Sequence, residues 1–532
     1  MIDLTVLTYV PDPFAVQASR FCLKTAEGEV RFLSASELGS VRGPILTYDV
    51  PALIDDLRRL NQSPPTGLVD IGEALRLKVG LPRDEGGEKR WNLWRALSRH
   101  FRDTEQAKLF QSVVQARHER PDTEELSALL SLAADALSRL WIDLAKHLGR
   151  DELERLFLVE WPLQKIFSHR QFRGVPVDST GATALLTSLS EEKYSAYRVV
   201  AETLKMSPTG LNFWNIQEHL RNTDVSHLSD VEPGGRLQDA FEIASTVSMF
   251  AGAFLTMVKA ARDEAVVRRA VGADDRLHPF FSILGTVSGR ILVSDPYLQQ
   301  LRRAYRSLIV AEPRKRLIYL DYAQFEPGVL AGLVDDDDLI AAYNEGDLYT
   351  ALAMQLFGSS EMRSVAKRVF LAFSYGMTPE RISLLLAGKN EESSLREAYA
   401  QQISAFFARF PALERFKSDQ QSKLRSEGSV GSLVGNKRYR VTDGDLTSKE
   451  KRWALNQPVQ ATASLIFKEA LLKISDAVGM DAILLPVHDA VLLQFDEDGF
   501  ESLTERSCEI MVESFSARFP KLRPKVTAGA FA

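Results

Sequence analysis

The spacing of apolar residues changes along the chain, and each change predicts a different kind of element. Residues 1–80 alternate short apolar runs with turn residues, which indicates a small mixed α/β unit. Apolar residues recur at helical intervals from about 92 to 275, and again from 346 to about 427. Strand patterns return at 316–328 and 428–441. The chain is therefore expected to combine α/β and helical segments, with no fixed-period repeat.

A further strand pattern, "AILLPVHDAVLLQF" at residues 482–495, raises a chemical question. Two apolar runs flank His488 and Asp489, and an ionised carboxylate is costly to bury without a partner. Either the pair forms a hairpin turn that faces water, or Asp489 holds a cation together with another carboxylate. The second interpretation requires an aspartate at the edge of another strand, and the apolar run "RLIYLD" ends in Asp321. Two such residues could hold two divalent cations for in-line phosphoryl displacement.

A predicted helix between these strands carries side chains suited to a nucleotide. In "RSVAKRVFLAFSYG", the residues Arg363, Lys367, Leu371 and Tyr375 are spaced by four and form one stripe. Cations suit phosphate oxygens, and an aromatic ring suits the face of a base. A surface helix with ordinary basic residues would show the same spacing, so this segment alone leaves both interpretations open.

Length, composition and charge narrow the protein class. At 532 residues the chain is too long for one core, so several domains are expected. It lacks a long uncharged apolar run and a secretory pattern, and it has only two cysteines, so we expect a cytoplasmic protein without a membrane partner. A net charge of −6 argues mildly against nucleic acid, but 299–319 and 414–452 are locally basic. These patches fit either a positive groove or solvated surface.

Six segments, taken in order, resemble family A DNA polymerases, the family of bacterial and phage DNA polymerase I. "DYAQFE" (321–326), "RSVAKRVFLAFSYG" (363–376) and "VHDA" (487–490) resemble its first palm motif, its fingers helix and its second palm motif. Three further segments agree in order and spacing: "TVSGRILVSDPYLQQL" (286–301), "GDLYTALAMQLFG" (346–358) and "RWALNQPVQATASLIFK" (452–468). The resemblance covers the chain well from about 280 onward and thinly before that.

The resemblance implies an α+β multidomain fold and a template-directed DNA polymerase that adds deoxynucleotides to a primer 3′ end. A right-hand polymerase of palm, fingers and thumb would follow an α/β ribonuclease H-like, exonuclease-type domain. The implied segments are an exonuclease-like domain at 1–148, a thumb at 149–280, a first palm part at 281–345, fingers at 346–427 and a second palm part at 428–532.

The resemblance also assigns roles to single residues. Asp321 and Asp489, with the backbone carbonyl of Tyr322, would ligate two Mg²⁺ ions, with Mn²⁺ as an alternative. The residues implied in dNTP binding are Arg363, Lys367, Leu371, Tyr375, Gln324, Tyr349 and Glu326, the last as a steric gate against ribonucleotides. Those implied in DNA binding are Arg290, Gln299, Arg452, Asn456, Gln460 and His488. Pro458 argues against one continuous helix through the segment 452–468.

Several positions depart from the family pattern. Ala490 stands where the family usually has Glu, Leu371 where it has Phe or Tyr, and Tyr349 where it has His. Gly328 and Ala323 replace a usual Arg and a usual Ser. Fewer polar contacts at the site predict modest speed or altered fidelity.

The N-terminal part faintly resembles a proofreading exonuclease. "PILTYDVPALIDDL" and "LLSLAADALSRLW" place Asp49 and Asp135 at carboxylate positions of the second and third exonuclease motifs. The first motif is not visible in residues 14–30, and two metal ions need more carboxylates than these two supply. We therefore expect an exonuclease-like fold without exonuclease activity.

Two other functions compete with the DNA polymerase interpretation. A single-subunit RNA polymerase shares the two aspartates and the fingers lysine, but Glu326 argues against it. A non-catalytic primer–template clamp would not need Asp321, Lys367 and Asp489. The expected partners are primer–template DNA and dNTPs, and the expected state is a monomer in the cytoplasm of a bacterial or phage-infected cell.

Overall fold

The computed structural model describes residues 4–11, 20–82, 91–115, 121–387 and 393–532. A loop predicted at 85–90, and residues 14–19 of the segment compared with the first exonuclease motif, lie outside these ranges. Within them, none of the helices combines the length and the apolar character needed to cross a bilayer.

The N-terminal region is built on a five-stranded sheet. Its strands lie in the order Val30–Leu33, Phe21–Lys24, Thr5–Tyr9, Ile45–Thr47 and Leu68–Asp70. The first three form an antiparallel meander, and the last two continue the sheet in parallel. The helices of this region are Ala35–Leu38, Val50–Arg59, Ile71–Val79, Leu93–Ser98, Thr104–Val114 and Thr123–His147. This is the mixed α/β unit that the short apolar runs predict, while its exonuclease-like type stays a prediction.

A mostly helical region follows, as the apolar spacing predicts. Its elements are Arg150–Arg155, a π-helix at Leu156–Glu160, Trp161–Arg173, Ser179–Leu204, the 3₁₀ helices Ile216–Asn222 and Ser226–Asp230, Gly235–Ala244 and Met249–Ala270. The two long helices Ser179–Leu204 and Met249–Ala270 pack along each other. At the far end of this helix pair, where Ser179–Leu204 ends and Met249–Ala270 begins, three aromatic rings form a cluster. They belong to Phe213, Phe241 and Phe254, and their centroids are 5.1–5.7 Å apart.

A second sheet forms the centre of the C-terminal region. Its four antiparallel strands lie in the order Ile483–Val487, Ala490–Asp496, Lys315–Ala323 and Lys525–Gly529. Three short strand pairs lie outside it: Val175–Pro176 with Arg276–Leu277, Phe280–Ser282 with Leu292–Ser294, and Ser429–Val430 with Arg438–Tyr439. The predicted strand pattern at 316–328 is too long, because Gln324 takes a left-handed conformation (φ 51°) and a helix begins at Phe325.

Helices make up most of the rest of the C-terminal region. They are Phe325–Val334, Asp337–Glu345, Leu348–Phe357, Arg363–Ser374, Pro379–Ala387, Ser393–Phe407, Pro411–Glu427, Ser448–Val478 and Phe500–Arg518, with 3₁₀ turns at Leu298–Gln300, Arg303–Leu308, Ser360–Met362 and Met480–Ala482. The expectation that Pro458 interrupts its helix is wrong, since Ser448–Val478 runs through it without a break. Proline removes one backbone donor, and close packing of this buried helix against its neighbours outweighs that loss.

Buried apolar side chains form three large clusters among the described residues. One joins the N-terminal sheet to its helices, one surrounds the second sheet, and one lies at the far end of the long helix pair. Separate cores of this kind fit several domains, but the predicted boundaries between the five segments stay a prediction.

Candidate active site

The hairpin formed by Ile483–Val487 and Ala490–Asp496 turns at His488 and Asp489. His488 has a φ of 57°, a left-handed conformation suited to a tight two-residue turn. On the neighbouring strand Asp321 lies directly opposite Ala490. Asp489 is therefore adjacent to the residue that pairs with Asp321, and two distant segments bring their carboxylates to one end of the sheet.

The environment of these carboxylates favours a positive partner. Burial raises the pKa of Asp489 to about 6; the Arg290 guanidinium opposes this shift, and the Glu326 and Asp321 carboxylates add to it. Burial also raises the pKa of Asp321, against the opposing charges of Lys367 and Arg306. Across the described part of the chain, no three His, Cys, Asp or Glu side chains form a metal-binding group. A metal ion at this site would therefore be coordinated by two carboxylates together with oxygens of the backbone or of a bound ligand.

Glu326 joins the sheet region to the helix Arg363–Ser374. Its Oε1 accepts a hydrogen bond from Arg290 Nη2 at 2.6 Å, and its Oε2 accepts one from the Tyr375 hydroxyl. The same Arg290 nitrogen lies 3.8 Å from Asp489 Oδ2. One guanidinium thus contacts Glu326 and lies near Asp489, and the Tyr375 ring is held at the C-terminal end of the helix.

The predicted cationic stripe lies on the helix Arg363–Ser374, with Tyr375 as its C-cap. Arg363 donates from Nε and Nη2 to Asp347 Oδ2 at 2.9 and 2.6 Å. The buried Tyr349 ring lies under both cations, 5.3 Å from Arg363 Cζ and 5.9 Å from Lys367 Nζ. Lys367 is close enough to lower the pKa of both Asp321 and Asp489. Lys367, in the middle of the stripe, therefore lies near the carboxylate pair.

The helix Ser448–Val478 presents a second polar stripe. Arg452, Asn456 and Gln460 are each partly exposed, whereas most residues between them are buried. Their spacing of four places all three on one side of the helix, which the continuous helix through Pro458 makes possible. The stripe supplies hydrogen-bonding side chains at an otherwise apolar helix surface.

Comparison with known proteins identifies the family. The family model of DNA polymerase family A matches residues 216–529, more than half of the chain. The chain belongs to DNA polymerase family A. It is 26% identical over 440 residues to DNA polymerase I of Geobacillus stearothermophilus, covering 76% of this chain and 49% of that protein. With the thermostable DNA polymerase I of Thermus caldophilus it shares 30% identity over 418 residues, covering 72% of this chain and 49% of that protein.

The chain spans about half the length of the curated relatives it matches. Its fold is similar to the POL domain of Pol1 from M. smegmatis, solved in complex with DNA primer–template and dNTP. The TM-score is 0.75 at 20% identity, covering 99% of this chain and 94% of that one. The predicted α+β multidomain polymerase fold is thereby confirmed, and so is the family resemblance.

Two glutamines of this family A chain are used inside the protein. The role of Gln299 in DNA binding stays a prediction. Its amide is buried in this structure: Nε2 donates to Ile291 O and Pro486 O, and Oε1 accepts from Val293 N. Both ends of the Gln324 amide also form hydrogen bonds within the protein: Nε2 donates to Gly346 O at 3.1 Å, and Oε1 accepts from Leu348 N at 2.8 Å. Both side chains position segments next to the site.

The remaining predicted residues lie around the same site. The Tyr322 side chain points into the core, where its hydroxyl donates to Met511 O at 2.7 Å, so only its backbone can face a metal. Leu371 packs partly buried against the main core, and His488 is exposed at the hairpin turn.

The two predicted exonuclease carboxylates, Asp49 and Asp135, each contact another group of the protein. The Asp49 side chain caps the helix Val50–Arg59 by accepting from Ala52 N at 3.3 Å. Asp135, on the helix Thr123–His147, forms an ion pair with Lys24 of the neighbouring strand. Each carboxylate thus already has a partner from the protein.

Residue patterns alone missed two contributors to the site. Arg306 lies over the Phe531 ring, 4.7 Å from its centroid, and its charge lowers the pKa of Asp321. Asp347 is both the N-cap of Leu348–Phe357 and the ion-pair partner of Arg363. The basic run at 299–319 was a signal for Arg306, and the cap position before an apolar helix was a signal for Asp347.

Proposed function

We propose that this family A chain is a template-directed DNA polymerase that extends a primer 3′ end with dNTPs by a two-metal mechanism. The observation that carries the proposal is the placement of Asp321 and Asp489 at one sheet end, facing Lys367 and Arg290. Neither carboxylate accepts a hydrogen bond from a described residue, so their oxygens are available to a ligand. Such pairs hold divalent ions in phosphoryl-transfer sites.

Asp321, Asp489 and the Tyr322 carbonyl would hold the metal ions, expected to be Mg²⁺ with Mn²⁺ as an alternative. Two partly buried carboxylates with raised pKa values fit divalent cations, because the cations would offset the cost of keeping both acids ionised. When bound, such ions lower the pKa of the attacking hydroxyl and neutralise charge on the leaving group. Arg290 would keep Glu326 beside this pair.

The helix Arg363–Ser374 would bind the incoming dNTP. Arg363 and Lys367 would contact the triphosphate, with Tyr349 as the aromatic surface that keeps both cations in place. Tyr375 would stack near the new base pair, and Glu326, held by two hydrogen bonds, would occupy the space that a ribose 2′-hydroxyl needs. Leu371 would lie against the sugar with less shape selection than an aromatic ring.

Arg290 and the exposed stripe of Ser448–Val478 would contact the duplex. Arg290 and Gln460 would donate to minor-groove acceptors that all correct base pairs share, which tests geometry without reading sequence. Arg452 and Asn456 would support the same region, and His488 would lie by the primer terminus. Primer–template DNA and dNTPs are the proposed partners of a monomeric enzyme.

The N-terminal unit would be an exonuclease-like domain without proofreading, followed by thumb, palm and fingers in the predicted segments. The support is that Asp49 caps a helix and Asp135 pairs with Lys24, so a metal ion would compete with an existing partner of each carboxylate. Incubation of the protein with single-stranded primer and Mg²⁺ should leave the primer intact. Degradation that stops in an Asp135→Ala variant would contradict this.

Primer extension tests the proposed function directly. The parent protein should extend a primed template with dNTPs in Mg²⁺, and Asp489→Asn should abolish extension. Asp496→Asn is the matched control, since Asp496 lies exposed at the other end of the same strand. Equal use of rNTPs would favour an RNA polymerase, and tight primer–template binding without extension by the parent would favour a clamp.

A further inference from the structure

Three fully buried charges lie behind the active site. Arg155, Glu160 and Lys468 each have no exposed side-chain surface. Glu160 accepts from Arg155 Nε at 2.7 Å through Oε1 and from Lys468 Nζ at 2.6 Å through Oε2. Burial lowers the pKa of Lys468 to about 8, against the opposing charge of Glu160. Three charges removed from water are expensive, and apolar side chains of similar volume often stabilise a core as well or better.

The cluster is connected to the loop 432–437. Arg155 Nη1 donates to Ser432 Oγ at 2.9 Å and to Val434 O at 3.3 Å. One turn earlier on the same helix, Glu152 accepts from Asn436 N at 2.7 Å and from Lys437 N at 3.1 Å. The helix that begins at Arg150 therefore holds both halves of this loop.

The loop and the long helix together hold the segment that ends at Arg290. Gln457 Nε2 donates to Val287 O at 3.1 Å and to Asn436 O at 3.3 Å. Ser464 Oγ donates to Gly289 O at 2.6 Å. Gly289 has a φ of +78°, and a Cβ built there would lie 3.1 Å from Arg155 Nη2. The backbone immediately before Arg290 is thus packed against Arg155.

The exposed stripe of the long helix continues into the cluster. Ser464 and Lys468 follow Arg452, Asn456 and Gln460 at the same spacing of four, so one slowly turning row runs from the helix surface to Glu160. Lys468, which contacts Glu160, therefore lies one turn after Ser464, which holds the backbone of Gly289.

We infer that Arg155, Glu160 and Lys468 are positioning residues that hold the segment 287–290 in one register, so that the Arg290 guanidinium stays in contact with Glu326 and near Asp489. The inference rests on the proposed polymerase function. It gives the buried charges a role in specifying geometry rather than in adding stability. Directional hydrogen bonds select one arrangement, whereas an apolar core of equal volume tolerates small shifts.

The test replaces the cluster while keeping its volume. The triple variant Arg155→Met/Glu160→Leu/Lys468→Met should fold with a melting temperature near that of the parent, measured by circular dichroism. In single-nucleotide incorporation with Mg²⁺, kcat should fall roughly 10- to 100-fold, the range expected for a small misplacement of a reacting group. KM for the dNTP should change little, because Arg363 and Lys367 are untouched.

A double-variant cycle with Arg290→Ala separates positioning from a general structural effect. If the cluster acts through Arg290, the triple substitution should cost little further activity in the Arg290→Ala background. Glu160→Gln, which keeps the side-chain shape, should show a smaller loss of kcat and the same coupling. It serves in place of the triple variant if that protein does not fold.

The matched control is another buried ion pair far from Arg290. Arg20 Nη1 lies 2.7 Å from Asp56 Oδ2, with exposed fractions of 1% and 0%. Arg20→Met/Asp56→Leu should alter the melting temperature only, with no coupling to Arg290→Ala.

The inference is wrong if folded cluster variants keep the parent kcat, or if their losses add fully to that of Arg290→Ala. Absence of extension by the parent protein would instead contradict the proposed function, so the two failures are distinguishable.

Discussion

Asp321 and Asp489 at the second sheet differ from Asp49 and Asp135 of the N-terminal unit in the protein groups that contact their carboxylates. Asp489 and Asp49 each follow a strand at a point where the backbone is left-handed, at His488 and at Asp49 itself. Asp49 then caps a helix and Asp135 pairs with Lys24. Asp321 and Asp489 accept no hydrogen bond from the described residues; Arg290 Nη2 lies 3.8 Å from Asp489 Oδ2, and the charge of Lys367 lowers the pKa of both carboxyls.

The comparison shows that a carboxylate becomes a candidate ligand when folding leaves its oxygens without protein donors. A carboxylate that caps a helix or forms a close ion pair has its charge offset already, and a metal would have to displace that partner. Burial raises the pKa of Asp49 as well as those of Asp321 and Asp489, so the pKa shift does not separate the two regions; the absence of hydrogen-bond donors from the described residues at Asp321 and Asp489 does.

The largest effect is expected when one aspartate from each region is substituted. Asp321→Asn should lower kcat/KM for single-nucleotide incorporation by roughly 10³-fold or more, since a metal ligand contributes several kcal/mol. Asp135→Asn should leave incorporation unchanged. The two regions would not differ as proposed if both variants lost activity equally, or if Asp321→Asn kept it.

The lysines of the two regions provide the next test. Lys367→Met should reduce incorporation roughly 10²-fold, mainly through KM for the dNTP, because one phosphate-binding charge is lost. Lys24→Met should change only stability, by about 1 kcal/mol or less, since its pair with Asp135 is partly exposed. Steady-state kinetics and urea unfolding measure the two effects, and a kinetic defect in Lys24→Met would contradict the distinction.

Two substitutions of Glu326 test whether its hydrogen bonds or its bulk determine the preference for dNTPs over rNTPs. Glu326→Ala should shift the preference for dNTPs over rNTPs by roughly tenfold, as expected when pocket shape changes. Glu326→Gln keeps the shape, so it should retain the preference while losing speed through its weaker contact with Arg290. Incorporation assays with each nucleotide class compare the variants; an unchanged preference in Glu326→Ala would exclude a gate at this position.

The smallest effect is expected from Ala490→Glu, which introduces the carboxylate that the family usually has at this position. Ala490 pairs with Asp321 across the sheet, so its side chain lies on the same face. Ala490→Glu should raise kcat about threefold, less than 1 kcal/mol of transition-state stabilisation. The melting temperature serves as a control because Ala490 is buried. A slower but folded variant would show that the alanine is not the cause of modest speed.

Local patterns predicted much of the fold and several neighbours of the site. Two apolar runs around His488–Asp489 form the hairpin that their alternation with turn residues implies, and the spacing of Arg363, Lys367 and Tyr375 places them on one helix side. Periodicity depends only on residues close in sequence, so it can be read without coordinates.

Other features depend on partners that are far away in sequence. The motif position of Gln299 suggested DNA binding, but its amide is used by Ile291, Val293 and Pro486. Pro458 suggested a helix break, which dense packing along Ser448–Val478 prevents. At Pro458 the tertiary packing overrides the local rule for proline, and at Gln299 it supplies partners that the motif did not indicate.

The order and spacing of motifs by themselves determined the family, the two aspartates to compare and the helix that carries the cations. Tertiary structure alone decided which acids remain without protein donors, and that Arg155, Glu160 and Lys468 lie together behind Arg290. The physical reason is that burial and hydrogen bonding depend on distances between segments separated by hundreds of residues, which no local spacing encodes.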